Sequence, residues 1–286
     1  MVKINWAFCQ MNSDEFLSEG ILKLINCKLC NLSELSYSGF GNYLISHLEK
    51  PYYVGEARDV KKRIKQQFKS ATSTFYKNFQ KSLKVNQALR PITIEDFSFR
   101  YMPTEIGRKE IEDFGISNLS TSLNRFQIGK RQKSDFKIDN GIWDEVQKKK
   151  IEILTEGEKL IFDNKFLPWR NCNSISTPGL YIVKHRNVII YIGESSDINE
   201  RYTTHSSRTY FSALRRHIGT ELLKYELIER NGKKKYFIDS HDKSVTDFLN
   251  ETTAIFYPVH FGRYEFEEFL IRKYRPLLNR KDNKNE

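Results

Sequence analysis

The chain has 286 residues, of which 39% are hydrophobic and 13% aromatic, and it carries a net charge of +11 with an isoelectric point near 9.3. That length holds two domains of ordinary size, and the composition excludes a disordered chain outside the polar tail at residues 280–286. No apolar run approaches the roughly 18 residues that a membrane span needs, and the N-terminus lacks a signal-peptide core, so the expectation is a soluble, cytoplasmic protein without a membrane partner.

A positive excess of this size favours an acidic partner, most commonly a phosphate backbone. Basic clusters stand at residues 61–63, 148–150, 215–216 and 233–235. Any one of them reads equally well as a solvated face, and only their total leans toward nucleic acid. The four cysteines fit a reducing compartment. Cys27 and Cys30 have the spacing of half a zinc site, but no second pair follows, so they read as ordinary, partly buried thiols.

In chain order, residues 43–48 and 52–55 form two short strands joined by a turn around residues 49–51, as β-branched and aromatic content suggests. A helix follows over residues 60–68, with Asp59 as its cap. A strand at 97–101 and a helix starting near Arg108 complete the set. The same order recurs later: strands at 181–184 and 188–192, a helix capped by Asp197 with Glu200 completing a capping box, a strand at 253–257, and a helix from about Arg263 that Pro276 stops. Each set makes a small α/β (α+β) unit, a central sheet flanked by helices.

The recurrence extends to identities. Residues 107–125 align without a gap on residues 262–280, an offset of 155, with matches at Gly107/Gly262, Arg108/Arg263, Glu112/Glu267, Phe114/Phe269, Asn124/Asn279 and Arg125/Arg280. Upstream, Tyr43, Tyr53 and Arg63 match Tyr181, Tyr191 and Arg201 at an offset of 138, and residues 18–20 echo residues 155–157. This points to a duplication. The domains are read as residues 1–127 and 146–286, joined by a link at 128–145 that includes the polar stretch 129–135. The change in offset places about 17 extra residues in the second copy, near 225–250, with a turn and an edge strand at residues 231–238.

The spacings are specific. Tyr43, Tyr53 and Arg63 stand ten residues apart, as do Tyr181, Tyr191 and Arg201; twelve residues separate Glu112 from Asn124 and Glu267 from Asn279. At these positions the sequence resembles the GIY-YIG nuclease family. Residues 179–181 look like its first motif and residues 191–193 like its second; residues 197–201 resemble its catalytic-arginine helix, and Glu267 with Pro276 and Asn279 its metal-binding end. Residues 53–63 look like the nuclease domain of the excision-repair incision subunit.

The resemblance implies an Mg²⁺-dependent (or Mn²⁺-dependent) endonuclease that hydrolyses phosphodiester bonds, with DNA, most plausibly double-stranded, as partner. Glu267 and Glu112 are then the metal ligands, since Mg²⁺ is often held by one carboxylate plus waters and substrate phosphate. The alternative for each is a salt bridge one turn away, to Arg263 or Arg108. Arg201 and His205, four apart on one helix face, can point at one phosphate. Tyrosine ordinarily titrates near pH 10. Beside an arginine and a metal its phenolate becomes accessible, and the resemblance implies that one motif tyrosine takes a proton from the attacking water. The residues do not decide which one.

The first copy departs from the pattern. Asn42 stands where an apolar residue is usual, Gln67 where the second copy has His205, and Thr121 where it has Pro276; Gly115, Ser117, Asn118 and Ser120 weaken its last helix. The reading is a restriction- or defence-type enzyme with two nuclease sites in one chain, so that both strands could be cut. Its specificity would come from the domains, insertion and link, because no separate recognition module is visible. One active domain with one scaffold domain, or a non-catalytic nucleic-acid-binding protein on a decayed nuclease fold, are the alternatives. Oligomeric state is left open.

Overall fold

The computed structural model describes residues 3–69, 71, 73–85, 89, 91–124, 141–173, 175–207 and 209–279. The stretch 129–135, the matched Arg125 and Arg280, and the tail at 280–286 lie outside the described residues. The chain divides into two compact units, Met1–Ile153 and Leu154–Glu286. Among the described residues no helix is long and apolar enough to cross a membrane.

The first unit opens with helix α1 (Trp6–Asn26), then a hairpin of β1 (Gly41–His47) and β2 (Lys50–Ala57), helices α2 (Val60–Lys69) and α3 (Thr74–Val85), strand β3 (Ser98–Pro103), and helices α4 (Arg108–Asn118) and α5 (Ile142–Lys148). The three strands form an antiparallel sheet in the order β2-β1-β3. β1 is central and almost entirely buried, which is why its residues 43–45 read as an unbroken apolar run. The hairpin turns at Leu48 and Glu49, both at positive φ, one step earlier than residues 49–51 suggested. Pro51 instead lies inside edge strand β2, opposite Ser46 at a bulge, a position that tolerates a missing N–H. Ile142–Lys148 is helical and belongs to this unit. The Ile142 and Trp143 amides donate to the buried Glu19 carboxylate at 3.2 Å each, so a side chain of α1 caps α5.

The second unit contains α6 (Lys150–Phe162, which begins just before the division), a two-residue strand β4 (Leu167–Pro168), the hairpin β5 (Gly179–His185) and β6 (Val188–Ser195), helix α7 (Ile198–Ser207), and α8 (Ala213–His217), which runs into a π-helical turn at Ile218–Leu222. Strands β7 (Ile228–Arg230) and β8 (Lys233–Tyr236), helix α9 (Asp239–Asn250), strand β9 (Thr253–Pro258) and helix α10 (Arg263–Tyr274) follow. Its sheet runs β4-β9-β5-β6. The hairpin turn, at Arg186 and Asn187, again has positive φ, and a bulge falls between Val183 and Lys184.

The extra residues of the second unit form no edge strand on this sheet. β7 and β8 pair only with each other, around Asn231 and Gly232 at positive φ. Both edges of the main sheet are already covered. β4 pairs with β9 on one side. On the other, the chain after α10 lies along β6: the Leu278 amide donates to the Ile190 carbonyl at 3.0 Å, and Asn279 brackets Ile192.

Two glycines shape each unit. Gly107 and Gly262 sit immediately before α4 and α10 at φ 89° and 76°, a conformation costly for other residues. Gly55 and Gly193 face the rings of Tyr43 and Tyr181: a Cβ at either would lie 2.4 Å from the phenol carbon and oxygen. Overpacking of that kind costs about 1–3 kcal/mol. Gly193→Ala should therefore lower the unfolding free energy of the second unit, read from urea melts, by that amount and displace Tyr181; an unchanged melt would mean that the ring is free to move aside.

Candidate active site

The antiparallel register places Tyr181 opposite Gly193 and Val183 opposite Tyr191, so both tyrosines project from the same face of the sheet. Their rings stack with centroids 5.9 Å apart. Tyr181 is buried, with Phe256 stacked at 5.5 Å on it, while Tyr191 is partly exposed. Burial and then the Glu267 carboxylate push the Tyr191 phenol up to about 12, although Tyr181 and Arg201 act to lower it. Tyr181 is pushed well above its ordinary value, first by burial and then by Tyr191. The chain's own groups therefore favour the protonated form of both phenols.

Tyr191 thus feels Glu267 from α10 and Arg201 from α7. Phenol, guanidinium and carboxylate share one electrostatic neighbourhood. α7 starts where the Asp197 carboxylate accepts from the Glu200 amide at 2.9 Å; the Asp197 amide itself donates to Ser195 Oγ at 3.1 Å. Glu267 Oε1 accepts from the Glu194 amide at 3.0 Å, which ties α10 to β6.

Three expectations change. His205 does not face outward beside Arg201: it is 1% exposed and lies between Tyr181 and Ser212. Its Nε2 is 2.9 Å from the Tyr181 hydroxyl and its Nδ1 2.6 Å from Ser212 Oγ. Burial, then Arg201, Arg215 and Arg216, lower its pKa to about 3, so it is a neutral positioning residue. Asn279 brackets the Ile192 backbone, accepting at 2.9 Å and donating at 2.7 Å. Asn124 brackets Val54 in the same way, at 2.9 Å in both directions. Each asparagine holds the second-motif strand. Arg263 pairs with Glu194 at 2.6 Å, and Arg108 approaches Glu56 at 3.8 Å.

Glu194, Glu56 and Ser212 escaped the sequence reading. The first two had a signal, since a glutamate follows the second-motif glycine in both copies. Ser212 had none, because only the fold brings it to His205. Arg215, read as part of a basic cluster, is buried and paired with Asp242 at 3.1 Å, with its Nε donating to Thr209 at 2.7 Å.

The first unit repeats the frame. Tyr43 faces Gly55, Ile45 faces Tyr53, and the rings stack at 6.2 Å. Gln67 Nε2 donates to the Tyr43 hydroxyl at 2.8 Å while its Oε1 accepts from Phe75 N–H at 3.0 Å. Burial opposes charge on Arg63, but Tyr43, Tyr53 and Glu56 raise its pKa. The carboxylate differs: Glu112 is buried and ion-paired with Lys109, where the second copy has Tyr264. Tyr53 is also buried, unlike Tyr191. Asn42, at the anomalous first-motif position, donates to the Arg108 carbonyl at 2.8 Å and so anchors α4.

Among the described residues no three His, Cys, Asp or Glu side chains cluster as a metal site. A partly exposed carboxylate suits a hard cation that keeps most of its water. Glu267 is partly exposed, whereas Glu112 is buried and ion-paired with Lys109.

A histidine that stays neutral when folded but takes up a proton near pH 6.5 when unfolded weakens the fold as pH falls. The loss should begin below about pH 6.5 and deepen toward pH 3, reaching on the order of 4 kcal/mol. His205→Gln, which borrows the solution used at Gln67, should flatten this acid limb in urea melts run over a pH series. An identical fall in both proteins would remove His205 as its source.

Residues 167–286 match the family described as the GIY-YIG catalytic domain. None of the curated proteins matches the chain. Among solved structures, the GIY-YIG N-terminal endonuclease domain of UvrC from Thermotoga maritima, bound to its catalytic divalent cation magnesium, is 20% identical. The match covers 37% of this chain and 86% of that one, with a TM-score of 0.23. Two point mutants of that domain, each bound to the divalent cation, match comparably. An asparagine-to-alanine form is 19% identical over 37% and 84% of the two chains, and a tyrosine-to-phenylalanine form 20% identical over 37% and 86%, both with a TM-score of 0.23. The likeness to the GIY-YIG catalytic domain family thus lies in residues 167–286.

Proposed function

We propose that the chain is a divalent-metal-dependent endonuclease that hydrolyses phosphodiester bonds in double-stranded DNA, with the second unit as its cutting centre. The observation that carries this reading is the stacked Tyr181–Tyr191 pair, with the Glu267 carboxylate tied to the same strand through the Glu194 amide and Arg201 acting on the Tyr191 phenol from α7. An arginine fork suits the charge that develops on a phosphoryl group during in-line displacement. Glu267 would hold the cation. When bound, Mg²⁺ or Mn²⁺ supplies Lewis-acid polarisation of the phosphate and offsets the carboxylate that holds the Tyr191 phenol up.

The proton path follows from donor and acceptor capacity. Gln67 Oε1 already accepts from Phe75, so its amide nitrogen donates to Tyr43. His205, in the matching place, does the same through Nε2–H, with Nδ1 accepting from the Ser212 hydroxyl. Tyr181 then turns its own proton toward Tyr191, the sense in which the pair lowers Tyr191 and raises Tyr181. Tyr191, reachable from solvent and stabilised as an anion by Tyr181 and Arg201, is the acceptor for the proton of the attacking water. Arg201 binds the phosphate, and Tyr181 and His205 position Tyr191.

We assign the first unit to the same family frame, with a quiet site. The Lys109 ammonium neutralises Glu112 where a cation would bind. This favours one active domain with one scaffold over two cutting sites, and a nicking enzyme over one that breaks both strands. A restriction- or defence-type role fits a specificity insertion carried by the cutting unit alone.

Plasmid assays test each part. The chain should nick supercoiled DNA with Mg²⁺ or Mn²⁺ and not with EDTA. Glu267→Gln and Arg201→Ala should each lower the rate by about 10²-fold or more, whereas Glu112→Gln should leave it within about twofold. Loss of nicking in Glu112→Gln with retention in Glu267→Gln would reverse the unit assignment. Absence of cleavage of any DNA or RNA would favour the nucleic-acid-binding alternative.

A further inference from the structure

The hairpin β7–β8 belongs to the stretch by which the second unit exceeds the first, and its charges are not simply spread into solvent. Tyr210, in the short turn between α7 and α8, stacks on Tyr236 of β8 at 5.1 Å, and Phe211 meets Tyr210 edge-on at 4.7 Å. Lys233 Nζ donates to the Tyr210 hydroxyl at 2.8 Å, and the Lys233 and Lys235 ammoniums stand 5.5 and 5.4 Å from its ring centre. Arg230 stands 5.5 Å from the Tyr236 ring. Three cations are thus held beside a two-ring stack, with Phe211 left 61% exposed at its edge. Beside them opens a cleft of about 310 Å³ that runs from Ser207, at the end of the helix bearing Arg201, to Asp239.

His205 links this surface to the candidate active site: its ring lies 2.9 Å from the Tyr181 hydroxyl and 2.6 Å from the hydroxyl of Ser212, the residue after Phe211. The Arg216 guanidinium donates to the Thr209 and Tyr210 carbonyls at 3.0 and 2.5 Å and so braces the same turn. Single-stranded nucleic acids are held by this combination, cations along the phosphates and an open ring beneath a base.

We propose that β7–β8 with residues 209–211 is a platform for a nucleic-acid strand flanking the scissile bond, on which Arg230, Lys233 and Lys235 hold backbone phosphates and Phe211 stacks an unpaired base. The ligand class rests on the nuclease reading. The preferred substrate is accordingly duplex DNA with a single-stranded arm, a fork or flap, rather than uninterrupted duplex.

The test uses the full chain carrying Glu267→Gln, in EDTA, with fluorescently labelled forked and fully paired DNA. Lys233→Ala with Lys235→Ala should weaken binding of the fork by about tenfold and reduce the slope of log affinity against log salt by about 2. Arginine at both positions should restore it, and Lys61→Ala with Lys62→Ala, the same charge removed from the first unit, should have a clearly smaller effect. Phe211→Ala should weaken the fork by about tenfold and leave paired DNA unchanged. A Lys233/Lys235 variant no worse than its charge-matched control, or a Phe211 variant that affects both DNAs equally, would overturn the platform. Metal-dependent nicking by the wild-type chain would still uphold the nuclease reading. Hairpin-dependent binding of the fork by a wild-type chain that never cuts would support the platform and sink the nuclease.

Discussion

A phenol ring lying flat across a glycine is the contact on which both units are built. Adjacent antiparallel strands bring alternate residues to one face, but two tyrosines at matched positions fit there only if the residue opposite the first has no side chain. With that space open, the rings stack and their hydroxyls point to one place. The asparagine after the last helix then brackets the second strand through its own amide, so that strand cannot shift register without losing two buried hydrogen bonds.

The two units show what this frame fixes and what it leaves free. Behind the first tyrosine, a histidine held by a serine and a glutamine held by a backbone amide take the same place, since both bond the phenol hydroxyl and have their other polar atom satisfied. In front of the second tyrosine the units diverge. A lysine one turn from the glutamate ion-pairs with it in the first unit, and the matched residue in the second is a tyrosine. The difference at one helix position thus sets a buried, ion-paired carboxylate in one unit against a partly exposed one in the other.

Burial also decides which basic residues belong to a nucleic-acid surface. Arg215 and Arg216 are neighbours in sequence, yet Arg215 is enclosed, bonded to Thr209, Thr246 and Asp242, and serves to lock α8 against α7 and α9. Lys233 and Lys235 are exposed and held against rings. Identical charge thus supports packing in one place and an open surface in another.

The sequence by itself determined the elements that rest on local rules and repetition. The strand pairs, the aspartate-capped helices, the glycines before Arg108 and Arg263 and the equal spacing of tyrosine, tyrosine and arginine are periodic or local signals, and the chain displays each of them twice. It also marked Glu267 and Glu112, because a carboxylate at the same step of two amphipathic helices is costly without a partner. Tertiary structure decided what depends on distance between elements. It paired Arg263 with Glu194, withdrew His205 behind Tyr181, raised the phenol pKa values by burial, and set β7–β8 apart from a sheet whose edges were already covered. No spacing along one chain encodes those outcomes, since hydrogen-bond partners and dielectric surroundings arise from residues that meet only when the helices pack against the sheet.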